Sequence, residues 1–161
     1  MARSVFCSFH HQPDLFRVQT IRDAGLIDGN QPARDAAWEA ITRAGDTAIE
    51  TWIADQMNGR PVAIVFVGAH TAQRKWIDHE IKRAWDKGMG VVGIHIHRLL
   101  NSQKQPSAMG ANPFLHLSFL NAGAEIPCHD PPGWNSASVL QSIAEHMNGW
   151  IDEAVALRAK S

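Results

Sequence analysis

The run V-A-I-V-F-V at Val62–Val67 decides the fold, together with the segments after it: G-A-H-T at Gly68–Thr71, a helical stretch at Gln73–Lys87 stopped by Gly88, and a second apolar run, V-V-G-I-H-I, at Val91–Ile96. Both apolar runs are continuous and rich in β-branched residues, the pattern of strands buried on both faces of a parallel sheet. Strand, helix and strand within about 35 residues make a βαβ unit, whose crossover implies parallel pairing.

The rest of the chain fits around that unit. Ser4–Phe9 (S-V-F-C-S-F) reads as a first strand that ends in a polar loop, His10–Asp14, followed by a short helix at Leu15–Ala24. Leu26-Ile27 reads as a very short strand and Asp28–Pro32 as a loop. Asp35–Ala44 reads as a helix closed by Gly45. Asp46 then caps a helix to about Asn58, with Ile49, Trp52, Ile53 and Met57 at helical spacing. After Val91–Ile96 comes a long loop, Ser102–Pro113, an edge strand at Phe114–Phe119 with alternating polarity, and an irregular stretch, Ala122–Trp134. Ser138–Arg158 closes the chain as an amphipathic helix. The expected class is α/β, flavodoxin-like, with three layers: a mostly parallel central sheet flanked by helices.

Composition narrows the function classes. The chain has 161 residues, 45% hydrophobic and 19% charged, with a net charge of −1, the profile of a globular protein. Lys and Arg are scattered, so there is no electrostatic footprint for nucleic acid or an anionic membrane. No apolar stretch is long enough to cross a bilayer, and the segment after Met1–Arg3 is too short for a signal-peptide core, so a cytoplasmic location is expected. Cys7 and Cys128 are no disulfide framework, and Cys7 reads as a small core residue. Six tryptophans are present and no tyrosine. One or two of them are expected to line a site.

Ligands of open α/β sheets sit outside the carboxyl ends of the strands. The His10–Asp14 loop, the turn after Val67 and the first turns of helix 73–87 converge there. Trp76 and Glu80 are four residues apart on that helix and share a face. An aromatic plate beside a carboxylate suits a flat cationic or sugar-bearing ligand. Spacing alone favours Trp76 as core and Glu80 as a solvated helix charge, because such pairs occur by chance and Ile77, Ile81, Ala84 and Trp85 suffice as a core face. His95 and His97 share one side of a strand. With His116 or His129 they are a candidate metal set, although a strand-borne H-x-H without a nearby carboxylate set is more often ordinary packing at a strand end. There is no G-x-G-x-x-G, Walker or G-x-S-x-G motif, so neither Rossmann-type cofactor binding nor an α/β-hydrolase is indicated. Asn112-Pro113-Phe114 reads as a loop anchor.

The run T-A-Q-R-K-W-I-D-H-E-I, Thr71–Ile81, resembles the W-x-x-x-E segment of NAD-cleaving TIR domains. The opening F-C-S-F-H-H-Q-P-D-L-F-R, Phe6–Arg17, resembles the first strand and loop of the bacterial TIR-like family of Thoeris anti-phage proteins, the ThsB group. Ile21-Arg22, V-F-V-G-A-H-T at Val65–Thr71, G-I-H-I-H at Gly93–His97 and G-A-N-P-F at Gly110–Phe114 extend the likeness over residues 3–119. The resemblance implies a single TIR-like domain across residues 1–161. It implies an enzyme, of NAD glycohydrolase or ADP-ribosyl cyclase type, that consumes NAD as substrate without a resident cofactor or metal. Its product would be a second messenger, a cyclic ADP-ribose isomer or an ADP-ribose conjugate, that activates a separate effector protein. It further implies a phage-derived trigger and a site shared between copies of the chain, for which Asp28–Asp35 and Ser102–Pro113 are candidate surfaces.

In that family the motif Glu is catalytic, which gives Glu80 that role. Trp76 would stack on a ring of the substrate, with Ser8, Phe9 and His10 as the opposite wall. Asp14, Arg17 and Arg22 would order the loop or reach a phosphate, and an Asp14–Arg17 helix-start pair explains the first two equally well. His10 and His11 stand where some TIR enzymes carry Arg. One carboxylate suffices for this chemistry, because nicotinamide leaves as a neutral molecule and needs no proton, while the ribose carbon becomes oxocarbenium-like. Asp78, two residues from Glu80, faces elsewhere on the helix. The rival is a non-enzymatic flavodoxin-like interaction or adaptor module, which the same fold also hosts.

Overall fold

The computed structural model describes residues 2–30, 35–117 and 125–161, with the side chains of residues 35–38 excepted. Its sheet has the order β2-β1-β3-β4-β5, every neighbouring pair parallel. The strands are β1 (Arg3–Phe9), β2 (Ile27–Gly29), β3 (Val62–Val67), β4 (Gly90–His95) and β5 (Cys128–His129). The helices are α1 (His11–Asp23), α2 (Asp35–Arg43), α3 (Asp46–Met57), α4 (Lys75–Asp86) and α5 (Ser136–Lys160). The strand order reverses direction beside β1, the flavodoxin-like switch point at which such sheets bind ligands.

Every residue of β3 and β4 is buried, which is why their sequences do not alternate. Two apolar cores result. On one face Val5, Ile64 and Ile94 pack with Val18 and Ile21 of α1 and Ile143, Met147 and Ile151 of α5. On the other, Phe6, Ala63 and Val65 pack with Ile49 and Ile53 of α3 and Ile77 and Ile81 of α4. α5 carries an Asn135–Ser138 capping box at its start, each side chain bonding the other's backbone. No helix among the described residues is long and apolar enough to cross a membrane.

Four local expectations change. His10–Asp14 is not a loop: α1 begins at His11, with Pro13 in the first turn, where the missing amide costs no hydrogen bond. The cap of α3 is Gly45 at φ 99°, and Asp46 turns its carboxylate to Lys75 Nζ at 2.5 Å instead. α4 starts two residues later than its periodicity suggests, because Gln73 holds a left-handed φ of 66°. The expected edge strand Phe114–Phe119 is a turn over residues 113–116, where Asn112 Oδ1 accepts the amide of Phe114 and His116 is tied to Asp78. Residues 118–119 of that stretch lie outside the described residues. The place beside β4 belongs to Cys128–His129.

The carboxyl edge of the sheet is fixed by one buried ion pair. Arg17 and Asp14 are 2% and 1% exposed, with Nη1 2.9 Å from Oδ1. Arg17 also donates to the carbonyl oxygens of Leu99 at 2.7 Å, Gln105 at 3.0 Å and Pro13 at 3.1 Å. The Asp14 carboxylate lies against Gly68, where any Cβ would collide with it, and a Cβ on Gly110 would strike the carbonyl oxygen of Gly68. The helix-start reading of this pair is therefore the one the structure supports.

Removing one partner of a buried pair leaves the other charge uncompensated, at a cost of roughly 3–5 kcal/mol. Arg17→Met is therefore expected to lose stability in that range in urea unfolding. A loss under about 1 kcal/mol, as for an exposed pair, would contradict this account of the edge.

Candidate functional site

A cleft of about 950 Å³ opens over the carboxyl ends of β1 and β3. One wall is the end of β1 and the first turn of α1: Cys7, Phe9, His10, His11 and Gln12. The facing wall is the segment from Ala72 to Ile77 with Glu80 one turn further on, and Trp52, Asn30, Ala69, His70 and Ala111 complete it. Trp76 and Glu80 thus do share a cleft-facing side of α4.

Glu80 is not a solvated helix charge. The buried face of α4 is Ile77, Glu80, Ile81 and Ala84, so the carboxyl occupies a core-facing position and is 8% exposed. Trp85, expected on that face, is only half-buried. Ser8 of β1 donates its hydroxyl to Glu80 Oε1 at 3.0 Å, its one partner among the described residues. Burial raises the pKa of Glu80 to about 8, against the lesser opposing effect of the Ser8 hydrogen bond. The carboxyl is therefore largely protonated at neutral pH.

The rim is cationic. Arg74 and Lys75 stand at the start of α4, whose first amides carry no side-chain cap. Arg74 Nε is anchored on the carbonyl of His70 at 2.7 Å, and the Lys75 ammonium lies 4.9 Å from the Trp76 ring centroid. Burial, then the nearby Arg74, His70 and His11, lower the pKa of His10 to about 4. Burial is the larger cause, and the Arg74 guanidinium adds to it. An uncapped helix start with two basic side chains suits a phosphate.

Of the residues expected at the site, Glu80, Trp76, Phe9 and His10 line the cleft, and Ser8 reaches it by holding Glu80. Asp14, Arg17 and Arg22 do not line it. The first two form the buried pair, and Arg22 sits in the last turn of α1 with Nη1 3.5 Å from Gln19 Oε1. Sequence reading missed Trp52, Arg74, Lys75, His70 and Asn30. The basic pair just ahead of Trp76 was a usable signal. Trp52 was hidden by its helical spacing with Ile49 and Ile53, and Asn30 by its loop, although its Oδ1 accepts the amide of Cys7 at 2.6 Å.

The histidines of the candidate metal set, of which His95 alone lies in β4, have other neighbours. His95 Nε2 lies 3.5 Å from Cys128 Sγ, His116 pairs with Asp78, and His129 pairs with Glu153 and stacks on Trp150. Among the described residues no three His, Cys, Asp or Glu side chains converge as a metal-holding group.

Residues 6–101, which carry both walls of this cleft except Ala111, match the model of the TIR-like domain of the Thoeris protein ThsB. The chain belongs to the ThsB TIR-like family. It is 34% identical over 124 residues to a Bacillus cereus (strain MSX-D12) protein named "Putative cyclic ADP-D-ribose synthase ThsB1". That alignment covers 74% of this chain and 65% of the relative, so the chain spans just under two thirds of the relative's length. Within this ThsB-family domain the W-x-x-x-E segment is the cleft-facing side of α4.

The buried carboxyl has a consequence for stability. Its pKa is higher folded, about 8, than its ordinary value of 4.5, so the folded chain binds the extra proton between those values. The contribution of Glu80 to stability therefore falls as pH rises from about 4.5 to 8. Glu80→Gln removes that dependence. Its melting temperature is expected to gain on that of wild type as pH rises through this window, and a constant difference would contradict the burial of an ionisable Glu80.

Proposed function

We propose that this chain is an NAD-consuming enzyme that breaks the nicotinamide–ribose bond, with Glu80 as its catalytic residue. The observation that carries the reading is a carboxyl on the buried stripe of α4, inside the cleft and one turn from Trp76. A helix of a pure adaptor gains nothing from a carboxyl there. Burial of a carboxyl with one hydrogen bond opposes folding, and a binding partner that is itself a cation compensates it.

α4 offers one feature for each part of the nicotinamide half of the substrate. At about 1.5 Å of rise per residue, Arg74 and Glu80 are roughly 9 Å apart along the axis. Arg74 and the uncapped helix start take the pyrophosphate, Trp76 lies under the nicotinamide ring, and Glu80 faces the ribose. When the pyridinium binds, its charge favours the ionised form of Glu80. The C1′–N bond breaks with its electron pair going to the ring nitrogen, so nicotinamide leaves neutral. The Glu80 carboxylate, oriented by Ser8, stabilises the positive ribose carbon. Phe9 and His10 close the opposite wall.

The nucleophile that captures the ribose decides the product. Attack from within the same ADP-ribose gives a cyclic isomer, in line with the relative's name. Attack by another small molecule gives a conjugate. In the scheme that the family resemblance suggests, this product is a signal made in response to phage and read by a separate effector protein, and copies of the chain associate to do so. Of the surfaces expected for that association, Asp28–Asp35 falls partly outside the described residues.

Purified protein, incubated with NAD in the presence and absence of lysate from phage-infected cells, is expected to release nicotinamide, with the nucleotide product identified by mass spectrometry. Glu80→Gln should lower kcat by roughly 10²–10³-fold, the scale of losing one charge-stabilising group. Equal turnover by the variant would remove Glu80 from the chemistry. For wild type, kcat/KM should climb with pH to a plateau above about 8, following the free carboxyl. The inflection in kcat should lie lower, because the bound pyridinium favours the carboxylate.

A further inference from the structure

Asn30 is 2% exposed, yet it lines the cleft. It stands just past the carboxyl end of β2, beside β1, where the strand order reverses. β2 ends at Gly29, opposite Val5, so no β2 backbone continues the ladder to Cys7. The Asn30 side chain takes that place, its Oδ1 accepting the Cys7 amide at 2.6 Å. A backbone N–H can only donate, which fixes the orientation of the carboxamide. Its oxygen is engaged on β1 and its NH2 group is turned away. Among the described residues that NH2 has no acceptor, and it is not one of the fully enclosed polar atoms, so it opens on the cleft. A nearly buried donor left without a partner is a place for a ligand acceptor.

The next residue of β1 holds Glu80, since Ser8 donates to its Oε1 at 3.0 Å. Asn30 and Glu80 are thus anchored on consecutive residues, whose Cα atoms are about 3.8 Å apart. Burial pushes the Cys7 thiol up to about 12, and Glu80 adds to that against Arg22 and Arg60, so the carboxyl lies within electrostatic reach of the residue that Asn30 holds. The two groups have opposite hydrogen-bonding capacities. The open NH2 of Asn30 can only donate, and an ionised Glu80 can only accept. A carbonyl oxygen satisfies the first alone and an ammonium the second alone. A hydroxyl accepts and donates, and so complements both.

We propose that Asn30 reads the sugar of the substrate: its NH2 donates to a hydroxyl of the nicotinamide-side ribose, whose hydroxyl protons go to the Glu80 carboxylate. This rests on the NAD-cleaving reading and deepens it, since it names the part of the substrate that Asn30 recognises. Closing the ladder at Cys7 is the structural task of the same side chain, and it needs only the oxygen.

The probe is carbocyclic NAD, which cannot be cleaved, with its two analogues lacking the 2′- or the 3′-hydroxyl of the nicotinamide-side ring. Dissociation constants are measured by isothermal titration calorimetry on the full chain for wild type, Asn30→Asp and Asn30→Ala, and nicotinamide release from NAD is assayed on the same samples. Asn30→Asp keeps an oxygen for the Cys7 amide and removes the donor, while Asn30→Ala removes both. Each variant is expected to weaken the full probe on the order of tenfold. Against the analogue without the hydroxyl that Asn30 binds, the loss should shrink to about twofold or less, because two changes that remove the same hydrogen bond do not add. Wild-type affinity of Asn30→Asp for the full probe would leave Asn30 its structural task alone and overturn the proposal. So would a loss that is the same for all three ligands in either variant, or failure of wild type to bind the full probe. Should Asn30→Ala not fold, Asn30→Asp decides on the same constants. Wild type that shows the expected coupling but leaves NAD intact contradicts the enzymatic reading and spares this one. Wild type that cleaves NAD, with losses independent of both hydroxyls, contradicts the role of Asn30 alone.

Discussion

A guanidinium taken out of water needs acceptors for its N–H groups, and those that Arg17 finds hold the working edge of this molecule together. Its partners come from α1, from the segment just after β4 and from the loop beyond it. Asp14, which answers its charge, presses on Gly68 at the end of β3, and Gly68 in turn accommodates Gly110. Four pieces of chain, distant in sequence, thereby meet at the carboxyl ends of the central strands. The cleft stands on that junction. Its opposite wall, α4, is launched by the turn after β3, in which Thr71 Oγ1 accepts the amide of Gly68 at 2.8 Å.

On this foundation the chain places a carboxyl where a hydrophobic residue would stabilise it more. Ile77, Ile81 and Ala84 show what the buried stripe of α4 otherwise contains. Glu80 interrupts it, held by one hydroxyl from β1 and starved of solvent. A local rule broken without structural gain is a mark of function. On the proposed reading the same burial that opposes folding prepares the group: a neutral carboxyl one turn from Trp76 awaits a cationic substrate, whose charge favours its ionisation.

Much of the fold was legible because β3 and β4 are continuous apolar runs, which only a strand buried on both faces requires, and because α4 lies between them. Boundaries were less legible. Gln73 adopts a left-handed backbone that no propensity announces, and Pro13 marks an early helix turn as easily as a loop. β5 is two residues long and is fixed by its neighbour β4, not by its own pattern. At the site, spacing brought Trp76 and Glu80 together but left Glu80 open to a place on the solvated side of the helix. Burial is a property of three-dimensional packing, and α4 has enough apolar residues to suggest a core face without it. Arg17 stayed open between a phosphate and the pair with Asp14 for the same reason: charge is visible in a sequence, and its partners 82 and 88 residues away are not.

The central claim is that Glu80 is a buried carboxyl whose charge is controlled by a cation in the cleft. Carbon-13 NMR of the Glu80 side-chain carboxyl, assigned through Glu80→Gln, reads this directly when titrated with pH, with and without a non-cleavable carbocyclic analogue of NAD. The account predicts a midpoint near 8 in the free protein and a clear fall when the analogue's pyridinium is bound. A midpoint near the ordinary 4.5 in the free protein, or one that the analogue leaves unmoved, would contradict it.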